Sequence, residues 1–300
     1  MDFSAWIKAF RLRTLPLALS SILLGSFLAA KQDLFSWPIF GLAILTTIFL
    51  QILSNLANDY GDFQNGADNA DRIGPDRMVQ SGRISKRSML RSLYVFALLS
   101  FLSGLSLILI ALSGKDLFYI VLFVGLGILS IIAAVKYTAG ENPYGYRGLG
   151  DLFVFLFFGL TGVLGSYYLF TQSLDASLLL PAASIGMLST GVLNLNNMRD
   201  SKNDQEVGKI TVAVKLGKRG AKIYHCFLLI GALVCALLFS LIHFESNWQL
   251  LFFVVSPILA FHLVTVWKIR EAKHFDPLLK QLAFSSLLFV LTFGIGLLIA

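Results

Sequence analysis

The run NLANDYGDFQNGADNADRIGPDRMVQSGRISKRSMLR, residues 55–91, decides the fold, because it is a polar island between two long apolar segments. It carries five aspartates (Asp59, Asp62, Asp68, Asp71, Asp76) beside six basic residues (Arg72, Arg77, Arg83, Lys86, Arg87, Arg91). A second run, NNMRDSKNDQEVGK at residues 196–209, repeats the theme with Asp200, Asp204 and Glu206 after another apolar segment. The two runs together hold eight of the 17 carboxylates, and nearly everything between them is apolar. The chain therefore reads as a membrane scaffold that brings two acidic patches face to face.

Composition agrees. With 56% hydrophobic residues, 14% charged residues and a mean hydropathy of +0.76, the chain is far more apolar than a soluble domain. The formal charge of +7 does not imply nucleic-acid binding, because the basic residues punctuate apolar stretches and form no stripe along a soluble face. The two cysteines, Cys226 and Cys235, share one apolar segment and support neither a disulfide framework nor a thiolate metal site.

A bilayer core of about 30 Å needs about 20 apolar residues per helix. Nine stretches qualify: 14–30, 38–57, 92–113, 117–136, 151–171, 177–195, 222–243, 248–268 and 279–299. The alternation of a barrel strand is absent, so the expected fold is all-α, a multi-pass membrane protein of nine transmembrane helices around a central cavity. It forms a single domain over 1–300, with acidic loops at about 55–91 and 194–222. Lys8, Arg11 and Arg13 before an apolar stretch resemble a signal peptide, but Thr14 with Pro16 reads as the start of a retained helix. Of the 24 lysines and arginines, all but Lys31 and Lys115 fall on alternate connections. The positive-inside rule then places the N-terminus and both acidic runs in the cytoplasm and the C-terminus outside.

Helical spacing stacks the oxygens. Asn55 and Asp59 are four apart, Asp59 and Asp62 three, Asn197 and Asp200 three, Asp200 and Asp204 four. LSNLANDYGD (53–62) and LNLNNMRDSKND (193–204) look like an internal repeat, two four-helix units with a ninth helix appended. Both ladders lie at helix C-termini, where the macrodipole disfavours anions, so a cation should offset the cost. The bland alternative makes them interfacial caps with Arg72, Arg77 and Arg199 as exposed ion-pair partners, each pair worth little. Two matched ladders without histidine or cysteine fit Mg²⁺ better, since it takes hard oxygen ligands and shares them with phosphates. Arg72, Arg77, Lys202 and Lys209 can bond the remaining phosphate oxygens.

The runs N-x-x-N-D-Y-G-D-F-x-x-G-x-D and D-x-x-x-D-x-E-x-G-K-x-T resemble the two acidic motifs of the UbiA-type intramembrane aromatic prenyltransferases. D-R-x-G-P-x-R-x-V-Q-S-G-R-I-S (71–85) and Y-T-A-G-E-N-P-Y-G-Y-R-G-L-G-D (137–151) are similar to the branch acting on 1,4-dihydroxy-2-naphthoate. The resemblance implies Mg²⁺-dependent transfer of a polyprenyl group from polyprenyl diphosphate to that acceptor. Loss of CO₂ and a proton would then give a demethylmenaquinol, a step of menaquinone biosynthesis in a bacterial inner membrane. It assigns one Mg²⁺ to Asn55, Asp59 and Asp62 and the other to Asn197, Asp200 and Asp204, with the four aspartates as the catalytic set. Asn55, Asp68, Asp71, Arg72, Arg77, Lys136, Tyr144, Arg147, Asn197 and Lys209 would bind substrate; Tyr146 is a further candidate for the acceptor pocket. A 4-hydroxybenzoate prenyltransferase is the alternative within the family, and a secondary transporter the alternative of another class. Asp116 and Asp151 read as N-caps, and His262 as a histidine bonded to a neighbouring helix.

Overall fold

The computed structural model of the protein describes residues 2–68 and 73–300. Asp71 and Arg72 lie outside the described residues. A short helix α1 (Phe3–Phe10) is capped by Asp2, whose carboxylate accepts from the Ala5 amide at 3.1 Å. Ala5 and Ala9 are buried in one apolar cluster with Leu53 and Leu56, so small side chains let α1 lie close on its neighbour.

The long helices are α2 (Leu15–Ala30), α3 (Trp37–Gln64), α4 (Lys86–Ala111), α5 (Leu117–Lys136), α6 (Gly150–Thr171), α7 (Leu179–Glu206), α8 (Val212–Ile242), α9 (Asn247–Lys268) and α10 (Phe275–Leu298). Among the described residues nine helical spans are long and apolar enough to cross a membrane, and no strand occurs. The expected all-α, nine-helix architecture is what forms. Helices satisfy their own backbone groups, which lipid cannot do.

Boundaries differ from the expectation in a way that matters. α3 and α7 run on past the apolar segments to Gln64 and Glu206, so both acidic runs begin inside helices and not in loops. Each stops before a glycine in the left-handed region, Gly66 at φ 74° and Gly208 at φ 75°. The amide after that glycine turns back in both places: Ala67 donates to the Asp62 carbonyl at 2.9 Å, and Lys209 to the Asp204 carbonyl at 2.7 Å. This is the glycine C-cap in which the third residue past the helix bonds the third-last helical carbonyl. Asp62 and Asp204 thus occupy equivalent positions at the ends of two helices.

α7 is the spine of the bundle and packs on α6, α8 and α10. A Cβ on Gly159 of α6 would come within 2.8 Å of the Gly186 Cα of α7, so the helices touch backbone to backbone there. From Phe155 to Gly165, α6 is wound more widely, with π-type geometry, a rare form found frequently at functional sites. α8 is interrupted at Gly217 (φ 67°, ψ 176°), which sets its first residues, 212–216, apart from the rest of the helix. Asp151 is not an N-cap: it lies inside the first turn of α6, buried, with the Tyr224 side chain of α8 close by. Asp116 precedes α5 but its side chain makes no capping bond.

Candidate active site

The ends of α3 and α7 open on one cavity of about 200 Å³. Asn58, Asp62 and Asp68 line it from one side, and Asn196, Asp200, Asn203 and Asp204 from the other. Asp204 and Ser189 both face it, fifteen residues apart on α7. At about 1.5 Å per residue the cavity follows the helix for roughly 22 Å, well into a bilayer core of about 30 Å. Its wet end is ionic; Leu17, Val154, Phe158, Val192 and Ala283 line its apolar part.

Asp62 is the junction. Its Oδ2 accepts from Arg77 Nη2 at 2.7 Å and its Oδ1 from the Tyr146 hydroxyl at 3.0 Å. Arg77 Nε also donates to Asp68 Oδ1 at 3.1 Å. Across the cavity, the Lys209 ammonium stands 3.4 Å from Asp204 Oδ1 and 5.3 Å from the centre of the Tyr146 ring. Asn203 joins the two motifs directly, donating to the Ala67 carbonyl at 2.9 Å. Burial alone would pull the pKa of Lys209 down, but the charges of Asp62, Asp204 and Asp200 outweigh it and hold it above the usual lysine value. One ammonium thus sits among carboxylates of both motifs and stays charged. Burial, then the charge of Asp62, drive the Tyr146 hydroxyl well above the usual tyrosine range, so it remains a proton donor to Asp62.

The connection 137–148 is pinned to α3. Thr138 Oγ1 donates to the Ala57 carbonyl at 3.0 Å, and Asn65 Nδ2 to the Thr138 carbonyl at 2.8 Å. A Cβ at Gly61 would lie 2.5 Å from the Thr138 carbonyl carbon, so only glycine permits this approach. The contact delivers Tyr137 and Tyr146 to the motifs.

Several sequence expectations need correction. Asp59 does not line the cavity: both its oxygens are taken by backbone amides, Met78 N at 2.9 Å and Val79 N at 3.1 Å, so it anchors the connection to α4. Asn197 is buried outside the lining, while Asn196, four residues before Asp200, faces inward. Asn55 does reach the wall, but its amide holds the N-terminal segment through the Phe10 carbonyl at 2.9 Å and Thr14 Oγ1 at 3.0 Å. Tyr144 donates to the Ala133 carbonyl at 2.9 Å and stacks on Phe153; neither it, Lys136 nor Arg147 lines the cavity. Arg77 and Arg199 are 5% and 2% exposed, so neither is a surface ion-pair partner. The strides Asn58–Asp62 and Asn196–Asp200–Asp204, each of four residues, carried the signal for the inward face. His262 meets His225 at 3.1 Å and Gln281 at 3.1 Å, a buried interhelical chain away from the cavity.

The donor set fits a divalent cation with an anion. Asp204 Oδ2 and Asn203 Oδ1 are buried acceptors without a protein hydrogen bond, and Arg77 Nη1 is a buried donor without one. Bare buried polar atoms are costly unless a ligand completes them. Among the described residues, no three histidine, cysteine or acidic side chains are drawn together around one ion. One or two carboxylates completed by water and phosphate oxygens is the usual arrangement for Mg²⁺. Asn58, Asp62, Asp200 and Asp204 would hold it, and Arg77 and Lys209 face the anion.

A family model described as "UbiA prenyltransferase family" matches residues 18–299. The chain is 46% identical over 297 residues to the 1,4-dihydroxy-2-naphthoate octaprenyltransferase of Haemophilus influenzae, covering 98% of this chain and 96% of that protein. It is 45% identical over 293 residues to the protein of the same name from Escherichia coli, covering 98% and 94%. Among solved structures, a UbiA homolog from Aeropyrum pernix superposes with a TM-score of 0.70 at 14% identity, over 96% of this chain and 98% of that one. A UbiA homolog from Archaeoglobus fulgidus bound to DMAPP and Mg²⁺ gives 0.62 at 16% identity, over 96% and 99%. These likenesses establish the shared fold.

Proposed function

The chain belongs to the UbiA prenyltransferase family, and on that premise we propose that it transfers a polyprenyl group from polyprenyl diphosphate to 1,4-dihydroxy-2-naphthoate. The reaction releases diphosphate and CO₂, the electron pair of the broken C–CO₂⁻ bond restoring the aromatic ring, and yields a demethylmenaquinol for menaquinone biosynthesis. The observation that carries this reading is the cavity itself: two acidic helix ends, bare donors and acceptors, and an apolar continuation.

Bound Mg²⁺ would supply the positive charge that makes diphosphate a competent leaving group. Asn58 and Asp62 on one helix end, and Asp200 and Asp204 on the other, would hold it. Arg77, through its uncommitted Nη1, and Lys209 take phosphate oxygens on the same side. Tyr146 and Arg77 fix the Asp62 carboxylate through both oxygens, so it would face the cation in a set orientation. As the allylic C1–O bond breaks, Leu17, Phe158 and Val192 keep water from the cation, which the electron-rich naphthoate ring captures instead. The N-terminus and both acidic helix ends face the cytoplasm of a bacterial cell membrane, as the distribution of lysine and arginine requires.

The acceptor is tested by giving the purified protein Mg²⁺, a prenyl diphosphate, and 1,4-dihydroxy-2-naphthoate in competition with 4-hydroxybenzoate. Prenylated naphthoquinol with stoichiometric CO₂ is expected, with 4-hydroxybenzoate at least about 100-fold poorer, a difference of about 2.7 kcal/mol. Comparable use of both acids would refute the naphthoate assignment.

A further inference from the structure

Arg199 directly precedes Asp200 on α7, where a cation would ordinarily reach for water, yet it is only 2% exposed. Its Nε and Nη2 form a fork on Asp200, donating to Oδ1 and Oδ2 at 2.8 Å each. The same Nη2 donates to Asn196 Oδ1 at 2.7 Å, and Nη1 donates to Asp276 Oδ1 at 2.6 Å in the first turn of α10. Asp276 Oδ2 in turn stands 3.7 Å from Arg13, a residue of the cavity wall. One guanidinium thus grips two inward-facing residues of the second acidic motif and is itself tied to the last helix.

We propose that Arg199 is the positioning residue of the second acidic motif and that Asp276 is its anchor. The inference rests on the reading of the cavity as a Mg²⁺-diphosphate site. The fork sets the plane of the Asp200 carboxylate against the repulsion of Asp204, one helical turn away and of like charge. Asn196 would lose the donor that fixes which way its amide points. A planar guanidinium meets both partners at once, and a lysine ammonium cannot reproduce that geometry. Arg199 touches no substrate in this account; it acts through Asn196 and Asp200. The burial is itself informative, because a buried charge cluster is a poor device for stability alone.

The test measures Mg²⁺-dependent binding of a non-hydrolysable prenyl thiolodiphosphate by calorimetry on the full chain in detergent, alongside steady-state kinetics. Wild type is compared with Arg199→Lys, Asp276→Asn and the double variant. Arg199→Lys is expected to weaken binding by about tenfold or more, the usual loss when a group orienting a metal ligand is removed. KM for the aromatic acceptor should stay put. Asp276→Asn should weaken binding by about threefold, since that carboxylate is partly exposed. The double variant should bind no more weakly than Arg199→Lys, because Asp276 acts through Arg199. Unchanged binding in either single variant, or losses that add in the double, would overturn the proposal. A lowered melting temperature without a shift in binding would assign Arg199 a structural role only and overturn it as well. Should Arg199→Lys fail to fold, Asp276→Asn with rescue by Asp276→Glu decides, and no rescue counts against the anchor. Absence of Mg²⁺-dependent binding in wild type would instead sink the functional reading on which the inference rests.

Discussion

Asp204→Asn is expected to lower turnover by about 10³-fold or more in a protein that still inserts and folds. The substitution keeps the shape of the side chain and removes its charge, so packing at the end of α7 is nearly unchanged. What is lost is the one buried carboxylate oxygen of the second motif that no protein donor occupies, together with the counter-charge of Lys209. Holding a cation against a departing diphosphate is worth several kcal/mol in such a site, and about 4 kcal/mol corresponds to 10³ in rate. Asp59 makes the contrast. Its two bonds to the amides of Met78 and Val79 hold the connection to α4, and bonds to a charged acceptor are each worth about 1.5–3 kcal/mol. Asp59→Ala should therefore show first as a fall in melting temperature, and any loss of activity should follow the loss of folded protein. Turnover and thermal unfolding measured on the same preparations separate the two; ordinary activity in Asp204→Asn would move the chemistry elsewhere.

Chelation comes second in size. EDTA should reduce activity below about 1% and Mg²⁺ should restore it in full, since Asp204 Oδ2 and Asn203 Oδ1 are buried acceptors that no protein donor occupies, and a cation is what would bring the diphosphate oxygens to them. Zn²⁺ should restore it poorly, because the lining offers oxygen donors and neither imidazole nor thiolate. Activity that survives exhaustive chelation would contradict the oxygen-ligated metal.

The membrane fold was legible because nine apolar stretches and the alternation of basic connections are one-dimensional signals. The acidic patches were legible as patches. Which faces turn inward was not, because a choice between Asn196 and Asn197 depends on the rotation of α7, which packing against α6, α8 and α10 sets. The anchoring bonds of Asp59 were not legible for a related reason: its partners, the amides of Met78 and Val79, come from a connection whose path no local pattern fixes. Gly66 and Gly208 held a clue that the spacing of aspartates did not. Matched glycines after Asn65 and Val207 mark the ends of two helices, and counting back from them puts Asp62 and Asp204 in register. The burial of Arg77 and Arg199 was not legible, because an arginine beside an aspartate is usually a surface cation and burial follows only from the convergence of distant helices.

The most direct measurement is anomalous diffraction from crystals grown with Mn²⁺ in place of Mg²⁺ and a prenyl thiolodiphosphate. Metal peaks are expected between the ends of α3 and α7, within coordinating distance of Asp62 on one side and of Asp200 or Asp204 on the other, with the diphosphate bridging them and in reach of Arg77 and Lys209. Metal bound elsewhere, or a diphosphate that touches only one of the two acidic helix ends, would contradict the account.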